Sequence, residues 1–207
     1  AGEPYGAVIA DTLHLLTLAT KAAGTGALSY RDRQVDPSAV AERLTVADAF
    51  RRYADVDLLA TLNAANPDRD ALAGQAQRAD VAITDDDTWS DIFSRILVER
   101  IEPNLGSDRP TILDEYPRVE AALARACPHD PRVAERFELY VLGVEIANGF
   151  GELTDPVEQR ARFENEMNEK QRIYGERYPI DEDFLEALGR MPQASGVALG
   201  FDRLVML

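Results

Sequence analysis

The stretch FELYVLGVEIA, residues 137–147, alternates apolar and polar side chains on both sides of Leu142-Gly143. Alternation with a period of two is typical of a β-strand, and a two-residue connection that contains glycine favours a hairpin. The apolar side chains would form one face of this hairpin, and the polar ones, with Glu138 and Glu145, the other. The predicted register pairs Val141 with Val144, Tyr140 with Glu145, and Leu139 with Ile146.

Glu138 and Glu145 become diagonal neighbours in this register. Two carboxylates this close repel each other unless a cation or a proton lies between them. Magnesium is a suitable cation, since it takes oxygen ligands and is usually shared with substrate phosphates. The alternative is a pair of solvated glutamates on the outer face of a half-exposed hairpin, because such alternation is common. The spacing alone leaves both interpretations open.

Residues 1–102 follow a mainly helical pattern. A helix is predicted over residues 5–23, ending at Gly24, and Asp36-Pro37 would begin a short one with a cap and a first-turn proline. Further helices are predicted over residues 46–53, after a Thr45 cap, and over 58–65, 68–82 and 87–100.

Residues 103–207 change to a strand-rich pattern. Strands are predicted over residues 111–113, 137–150 and 197–199, and helices over 156–175, 181–188 and from Asp202 onward. Helix propensity also favours a helix over residues 118–127. No low-complexity linker separates the two parts, so residues 1–207 are predicted as one unit. The fold class is α+β, an antiparallel sheet flanked by helices.

The charge balance argues against a nucleic-acid partner. The chain has 37 acidic and 22 basic residues, a formal net charge of −15, and its lysines are Lys21 and Lys170. A surface of this sign repels phosphate backbones. We therefore expect the chain by itself to bind nucleic acid poorly.

The reactive side chains are few. Cys127 is the single cysteine, so the sequence contains neither a disulfide framework nor a cysteine-based zinc site, and we expect a small, buried or half-buried hydrophobic side chain there. His14 and His129 are isolated and suggest no catalytic triad or histidine–metal site. The lone cysteine fits a reducing cytoplasm, where we expect the protein, and no apolar run is long enough to cross a bilayer, so we expect no membrane partner.

Two longer motifs resemble a known family. The run RFELYVLGVEIANGFGELTDPVEQRARF, residues 136–163, resembles the segment of lysyl-tRNA synthetases and their relatives that binds ATP, magnesium and the amino acid. The ending SGVALGFDRLVML, residues 195–207, resembles motif 3 of class II synthetases. The two motifs occur in the family's order and are joined by PIDEDFLEAL, residues 179–188. The resemblance is good over about residues 95–207 and weaker over the first half.

Two subgroups of this family compete. The stretch EPNLG at 102–106 and RPT at 109–111 resemble the ligases that attach β-lysine to elongation factor P. Synthetases that charge tRNA usually have Gly-x-Gly-x-Gly in motif 3, whereas residues 196–200 read GVALG. The methyl group of Ala198 would crowd an α-ammonium group and favour a β-amino acid. The β-lysine ligase is therefore the first interpretation and the tRNA-charging enzyme the second.

The resemblance implies ATP and magnesium as cofactors, activation of lysine or β-lysine as an adenylate, elongation factor P as acceptor, and a possible homodimer in the full-length protein. The family's motifs 1 and 2 are not found, so the expectation is a truncated catalytic domain that is inactive alone. A non-catalytic synthetase-like module that binds an amino acid or a protein is the alternative from another class.

The resemblance also assigns site residues. It assigns magnesium to Glu138 and Glu145, ATP to Glu138, Glu145, Ile146, Gly200 and Arg203, and the amino acid to Asn148, Phe150, Glu152 and Ala198. Arg203 would be catalytic, stacking on adenine or pairing with phosphate. Glu145 and Asn148 have opposite strand parity, so a β-bulge near Ala147 is needed if both point into one pocket.

Overall fold

The computed structural model describes residues 1–63, 67–121 and 123–207. The helices in these ranges are α1 Tyr5–Ala23, α2 Val46–Ala54, α3 Arg69–Arg78, α4 Trp89–Ile96, α5 Pro156–Tyr174, α6 Glu182–Leu188 and α7 Phe201–Met206. The strands are β1 Leu28–Tyr30, β2 Arg33–Val35, β3 Glu42–Thr45, β4 Thr111–Pro117, β5 Ala126–Cys127, β6 Asp130–Val141, β7 Val144–Gly151 and β8 Ser195–Leu199.

Six of the described strands form one sheet in the order β3-β4-β6-β7-β8, with β5 paired to β6, while β1 and β2 form a separate hairpin. The predicted α+β class, a sheet flanked by helices, is confirmed. The pairs are antiparallel except at the edge, where β3 runs parallel to β4. Residues 1–102 therefore contribute strands as well as helices, and β3 joins the first half of the chain to the main sheet.

Both faces of the sheet are covered. Ile112 and Leu139 pack with α1 on one face, whereas their neighbours Leu113 and Tyr140 pack with α2 and α4 on the other. Because successive strand residues point to opposite faces, the polar face of the β6–β7 hairpin lies on the side of α2–α4. The fold thus encloses side chains that would be solvated in an isolated hairpin, and Glu138 is only 6% exposed.

Helix ends agree closely with the local sequence. α1 ends at Gly24, which has the left-handed conformation with φ 70°. The Thr45 side chain accepts a hydrogen bond from the backbone N–H of Asp48 and caps α2, and the Asp155 side chain caps α5 in the same manner. The predicted end of α1 at Gly24 and the predicted Thr45 cap depended only on neighbouring residues, and both are confirmed.

Three predicted helices differ from the structure. The one at Asp36-Pro37 is wrong, because the Asp36 carboxylate accepts hydrogen bonds from the N–H and hydroxyl of Ser38 and stabilises a turn instead. The one over 118–127 is also wrong: the described part is a 3-10 turn, Arg118–Glu120, followed by β5, whose pairing with β6 overrides helix propensity. The helix predicted over 58–65 is reduced to a 3-10 turn, Leu59–Thr61, and residues 64–66 lie outside the described residues.

The other helical predictions differ mainly in their bounds. α3 ends at Arg78, and α4 is followed by a π-helix, Leu97–Ile101, and a 3-10 turn, Glu102–Asn104.

Cys127 is buried, as expected, and burial raises the pKa of its thiol to about 12. None of the helices within the described ranges is both long and apolar enough to cross a lipid bilayer.

Candidate functional site

The β6–β7 hairpin turns at Leu142-Gly143 but contains one irregularity. Val141 pairs with Val144 and Tyr140 with Glu145, as predicted, whereas Leu139 pairs with Ala147 instead of Ile146. The Leu139–Ile146 pair was therefore predicted wrongly, and Ala147 lies in the core instead of on the polar face. Ile146 is the extra residue of a β-bulge.

This bulge brings Glu145 and Asn148 to the same face. Glu145 lies opposite Tyr140, and Asn148 lies opposite Glu138, which is two residues from Tyr140 on the same strand. One inserted residue reverses the parity of a strand, so the opposite-parity positions 145 and 148 now point to one side. The bulge predicted near Ala147 occurs one residue earlier.

Glu138 accepts four hydrogen bonds at the centre of this face. Its Oε2 accepts from the hydroxyls of Tyr116 at 2.5 Å and Tyr140 at 2.7 Å, and its Oε1 accepts from Arg136 Nη2 at 2.7 Å and Asn148 Nδ2 at 3.1 Å. Its two oxygens have about four acceptor positions, so the protein itself occupies them. Glu138 thereby fixes the orientation of all four neighbours.

Both tyrosines remain donors at any physiological pH. Burial, followed by the charge of Glu138, raises the pKa of Tyr116 and of Tyr140 well above the ordinary phenol value. The Arg136 guanidinium lies over the Tyr116 ring, 4.3 Å from its centroid, and supplies the positive charge beside Glu138. The buried carboxylate is therefore paired and fully hydrogen-bonded.

Glu145 is more accessible. Arg203 Nη1 donates to the Glu145 main-chain oxygen at 2.9 Å and to its Oε2 at 3.0 Å, and the Glu145 side chain is 33% exposed. The N–H of Gly200 donates to the Ile146 main-chain oxygen at 2.8 Å, which ties the start of α7 to the bulge. These contacts bring together four of the five residues that the sequence assigned to ATP, namely Glu145, Ile146, Gly200 and Arg203.

The predicted amino-acid residues lie next to this group. In the β7–β8 register Asn148 pairs with Ala198 and Phe150 with Gly196, so these side chains share the face of Glu138. Asn148 Oδ1 is buried and has no hydrogen-bond partner among the described residues. Burial raises the pKa of the Glu152 carboxyl.

Gly196 provides the space that Glu152 uses. A Cβ built on Gly196 would lie 3.0 Å from Glu152 Oε1, so a larger residue there would crowd the carboxylate. Glycine at this position of β8 therefore keeps the end of the face open beside Glu152.

The donor set is compatible with magnesium bound mainly by phosphate and water. The described residues contain no cluster of three or more histidine, cysteine or acidic side chains suited to a metal. Mg²⁺ commonly takes one or two carboxylates and completes its coordination with waters and substrate phosphates. Glu145 would be the directly accessible ligand, whereas Glu138 would have to release one of its four hydrogen bonds.

Two residues at this site were missed from the sequence. Tyr116 lies beyond the predicted strand 111–113, because β4 extends to Pro117 through an irregularity at Glu115. Glu102 Oε1 lies 3.2 Å from the Tyr140 hydroxyl. Strand alternation places Tyr140 on the same face as Glu138 and could have indicated that the Tyr140 hydroxyl has a polar partner. It could not have identified Glu102, which lies 38 residues away in the sequence.

The chain is similar in sequence to several known proteins. A family model described as tRNA synthetases class II (D, K and N) matches residues 11–207. The elongation factor P–(R)-β-lysine ligases of Proteus mirabilis and Klebsiella pneumoniae (strain 342) are each 43% identical to the chain, over 80% and 81% of it. The Erwinia tasmaniensis ligase is 41% identical over 84% of the chain. The matches cover 50–53% of these relatives, so the chain spans about half their length.

Proposed function

Since the chain belongs to the class II tRNA synthetase family, we propose that it forms part of a ligase that activates lysine or β-lysine with ATP and transfers it to elongation factor P. The observation that carries the proposal is the bulge at Ile146, which adds Asn148 to the face that Glu138 and Glu145 share beside Arg203. The names of the similar ligases support both the amino acid and the acceptor.

The proposed reaction has two steps. The carboxylate of the amino acid attacks the α-phosphate of ATP, pyrophosphate leaves and an acyl adenylate forms. An amine or hydroxyl of the acceptor then takes the acyl group, and AMP and a proton are released. Such chemistry depends on positioning and on charge neutralisation more than on a general base. Magnesium, when bound, neutralises phosphate charge.

Within this reaction Arg203 and Glu145 act on the nucleotide side. The Arg203 side chain is 54% exposed and is held through two contacts with Glu145, so its remaining donors are free to reach a phosphate or an adenine ring. Gly200 leaves space for the Arg203 side chain at the start of α7, because a Cβ at position 200 would lie 3.4 Å from Arg203 Cδ. These features support binding of ATP at the bulge.

Asn148 and Glu152 act on the amino-acid side. Because Asn148 Nδ2 donates to Glu138, its amide orientation is fixed and the unpartnered Oδ1 is available to an N–H donor. An ammonium group of lysine or β-lysine is such a donor, and a carboxylate at Glu152 would form a charge-assisted hydrogen bond with a second ammonium.

Binding measurements test the proposal. Calorimetry should detect Mg·ATP and β-lysine binding to the chain, and Arg203→Ala should weaken Mg·ATP binding by about tenfold or more, the loss expected for a charged hydrogen bond. Arg190→Ala is the matched control, because Arg190 is an exposed arginine that pairs with Glu186 on α6. Unchanged Mg·ATP affinity in Arg203→Ala, or a chain that binds only a protein partner, would favour the non-catalytic module. Charging of tRNA instead of elongation factor P would favour the second enzyme.

A further inference from the structure

The segment EPNLG, residues 102–106, docks against the turn of the β6–β7 hairpin. The N–H groups of Leu142 and Gly143 donate to the main-chain oxygens of Gly106 and Leu105 at 2.8 and 2.9 Å. Gly106 has φ 68°, and a Cβ there would lie 2.6 Å from the Tyr140 main-chain oxygen. Only glycine permits this approach, so the segment and the hairpin are held in one fixed relation.

The same segment carries Glu102 to the polar face. Leu105 is buried, and its N–H donates to the Glu102 main-chain oxygen at 3.0 Å, closing the 3-10 turn Glu102–Asn104. Asn104 Nδ2 donates to the Arg100 main-chain oxygen at 2.8 Å and anchors the turn from the other side. These two hydrogen bonds hold the turn that carries the half-buried Glu102 side chain.

One phenol hydroxyl lies between two carboxylates at this position. The Tyr140 hydroxyl is 3.2 Å from Glu102 Oε1 and 2.7 Å from Glu138 Oε2. Burial raises the pKa of the Glu102 carboxyl, the charges of Glu138 and Glu145 raise it further, and Arg203 opposes the shift. Glu102 is thus electrostatically coupled to both predicted magnesium-binding residues and to the predicted phosphate-binding arginine.

We propose that Glu102 is a specificity-determining residue of the ATP site: its carboxylate, beside the Tyr140 hydroxyl that donates to Glu138, makes the site accept ATP with magnesium in preference to free ATP. This inference rests on the proposed function. The site then contains three carboxylates against the guanidinium groups of Arg136 and Arg203. An excess of negative charge repels a metal-free tetraphosphate anion and is relieved when a divalent cation accompanies it.

The test compares the affinity for ATP with and without magnesium, measured by calorimetry on the full chain. Glu102→Gln keeps the size and one acceptor oxygen of the side chain but removes its charge. It should strengthen binding of free ATP, weaken binding of Mg·ATP, and so reduce the preference for Mg·ATP by about fivefold, the effect of one partly screened charge.

Glu99→Gln is the matched control, since Glu99 is an exposed acid three residues earlier and should leave the preference unchanged. Glu102→Asp retains the charge and should keep most of the preference, so it separates charge from side-chain length. If Glu102→Gln does not fold, Glu102→Ala provides the second variant and should reduce the preference for Mg·ATP in the same way, because it also removes the charge.

The outcomes separate the two hypotheses. A wild-type chain that binds Mg·ATP, together with a Glu102→Gln chain that keeps the full preference, would overturn the role of Glu102 and leave the proposed function standing. A wild-type chain that binds no ATP under either condition would contradict the proposed function, and the role of Glu102 with it. A loss of preference in the Glu99→Gln control would show that net charge alone, and not the position of Glu102, is responsible.

Discussion

Glu138 and Glu145 carry the same predicted role, but the structure predicts very different consequences for stability when each loses its charge. In Glu138→Gln the amide oxygen can still accept from both tyrosine hydroxyls, whereas the new NH₂ group faces the donors of Arg136 and Asn148. The Glu138 side chain is 8% exposed and that of Arg136 is 20% exposed. Removing one partner of a buried ion pair costs about 3–5 kcal/mol, and the partial exposure of Arg136 places the expected loss near ~3 kcal/mol.

Glu145→Gln should behave as a surface change. Its ion pair with Arg203 joins side chains that are 33% and 54% exposed, and such pairs contribute about 0–1 kcal/mol. The assay is urea unfolding of the wild type and both variants without ligand, with the free energy of unfolding obtained by linear extrapolation. Two results would refute the view that Glu138 organises this face: equal losses of unfolding free energy in the two variants, or a loss below about 1 kcal/mol for Glu138→Gln. Either result would restore the interpretation of two solvated glutamates.

Two further predictions concern Ala198 and Asp114. Ala198→Gly, in a protein that activates the amino acid, should raise activation of α-lysine relative to β-lysine by about tenfold to a couple of hundredfold, the range for one methyl group, and an unchanged ratio in pyrophosphate-exchange assays would mean that Ala198 is not the selector. Burial raises the pKa of the Asp114 carboxyl from 3.8 to about 6, against the opposing effect of Arg43. The folded state therefore binds the proton more tightly than the unfolded state, so this contribution to stability is present below about pH 4 and is lost as the pH rises through about 6. The free energy of unfolding, measured across this pH range, should depend less steeply on pH in Asp114→Asn than in the wild type. An identical slope would contradict the raised pKa of Asp114.

The sequence by itself determined the features that depend on neighbouring residues. The turn at Leu142-Gly143, the Thr45 cap and the end of α1 at Gly24 each follow from the conformations and hydrogen bonds available to a few adjacent residues. The family resemblance also came from contiguous motifs, and the matching family model and relatives confirm it. The face shared by Glu138 and Glu145 belongs here too, because alternation alone predicts it.

Only the tertiary structure decided how these elements combine. Which residue of β7 forms the bulge depends on which side chains pack into the hydrophobic core between α1 and the sheet. No local sequence pattern distinguishes Ile146 from Ala147 in this respect. The same holds for β3, a short strand whose parallel pairing with β4 spans more than sixty residues of sequence. Burial of Glu138 has the same origin. Its four donors come from three strands, and the two on neighbouring strands, Tyr116 and Asn148, reach Glu138 only because the sheet pairs those strands with β6.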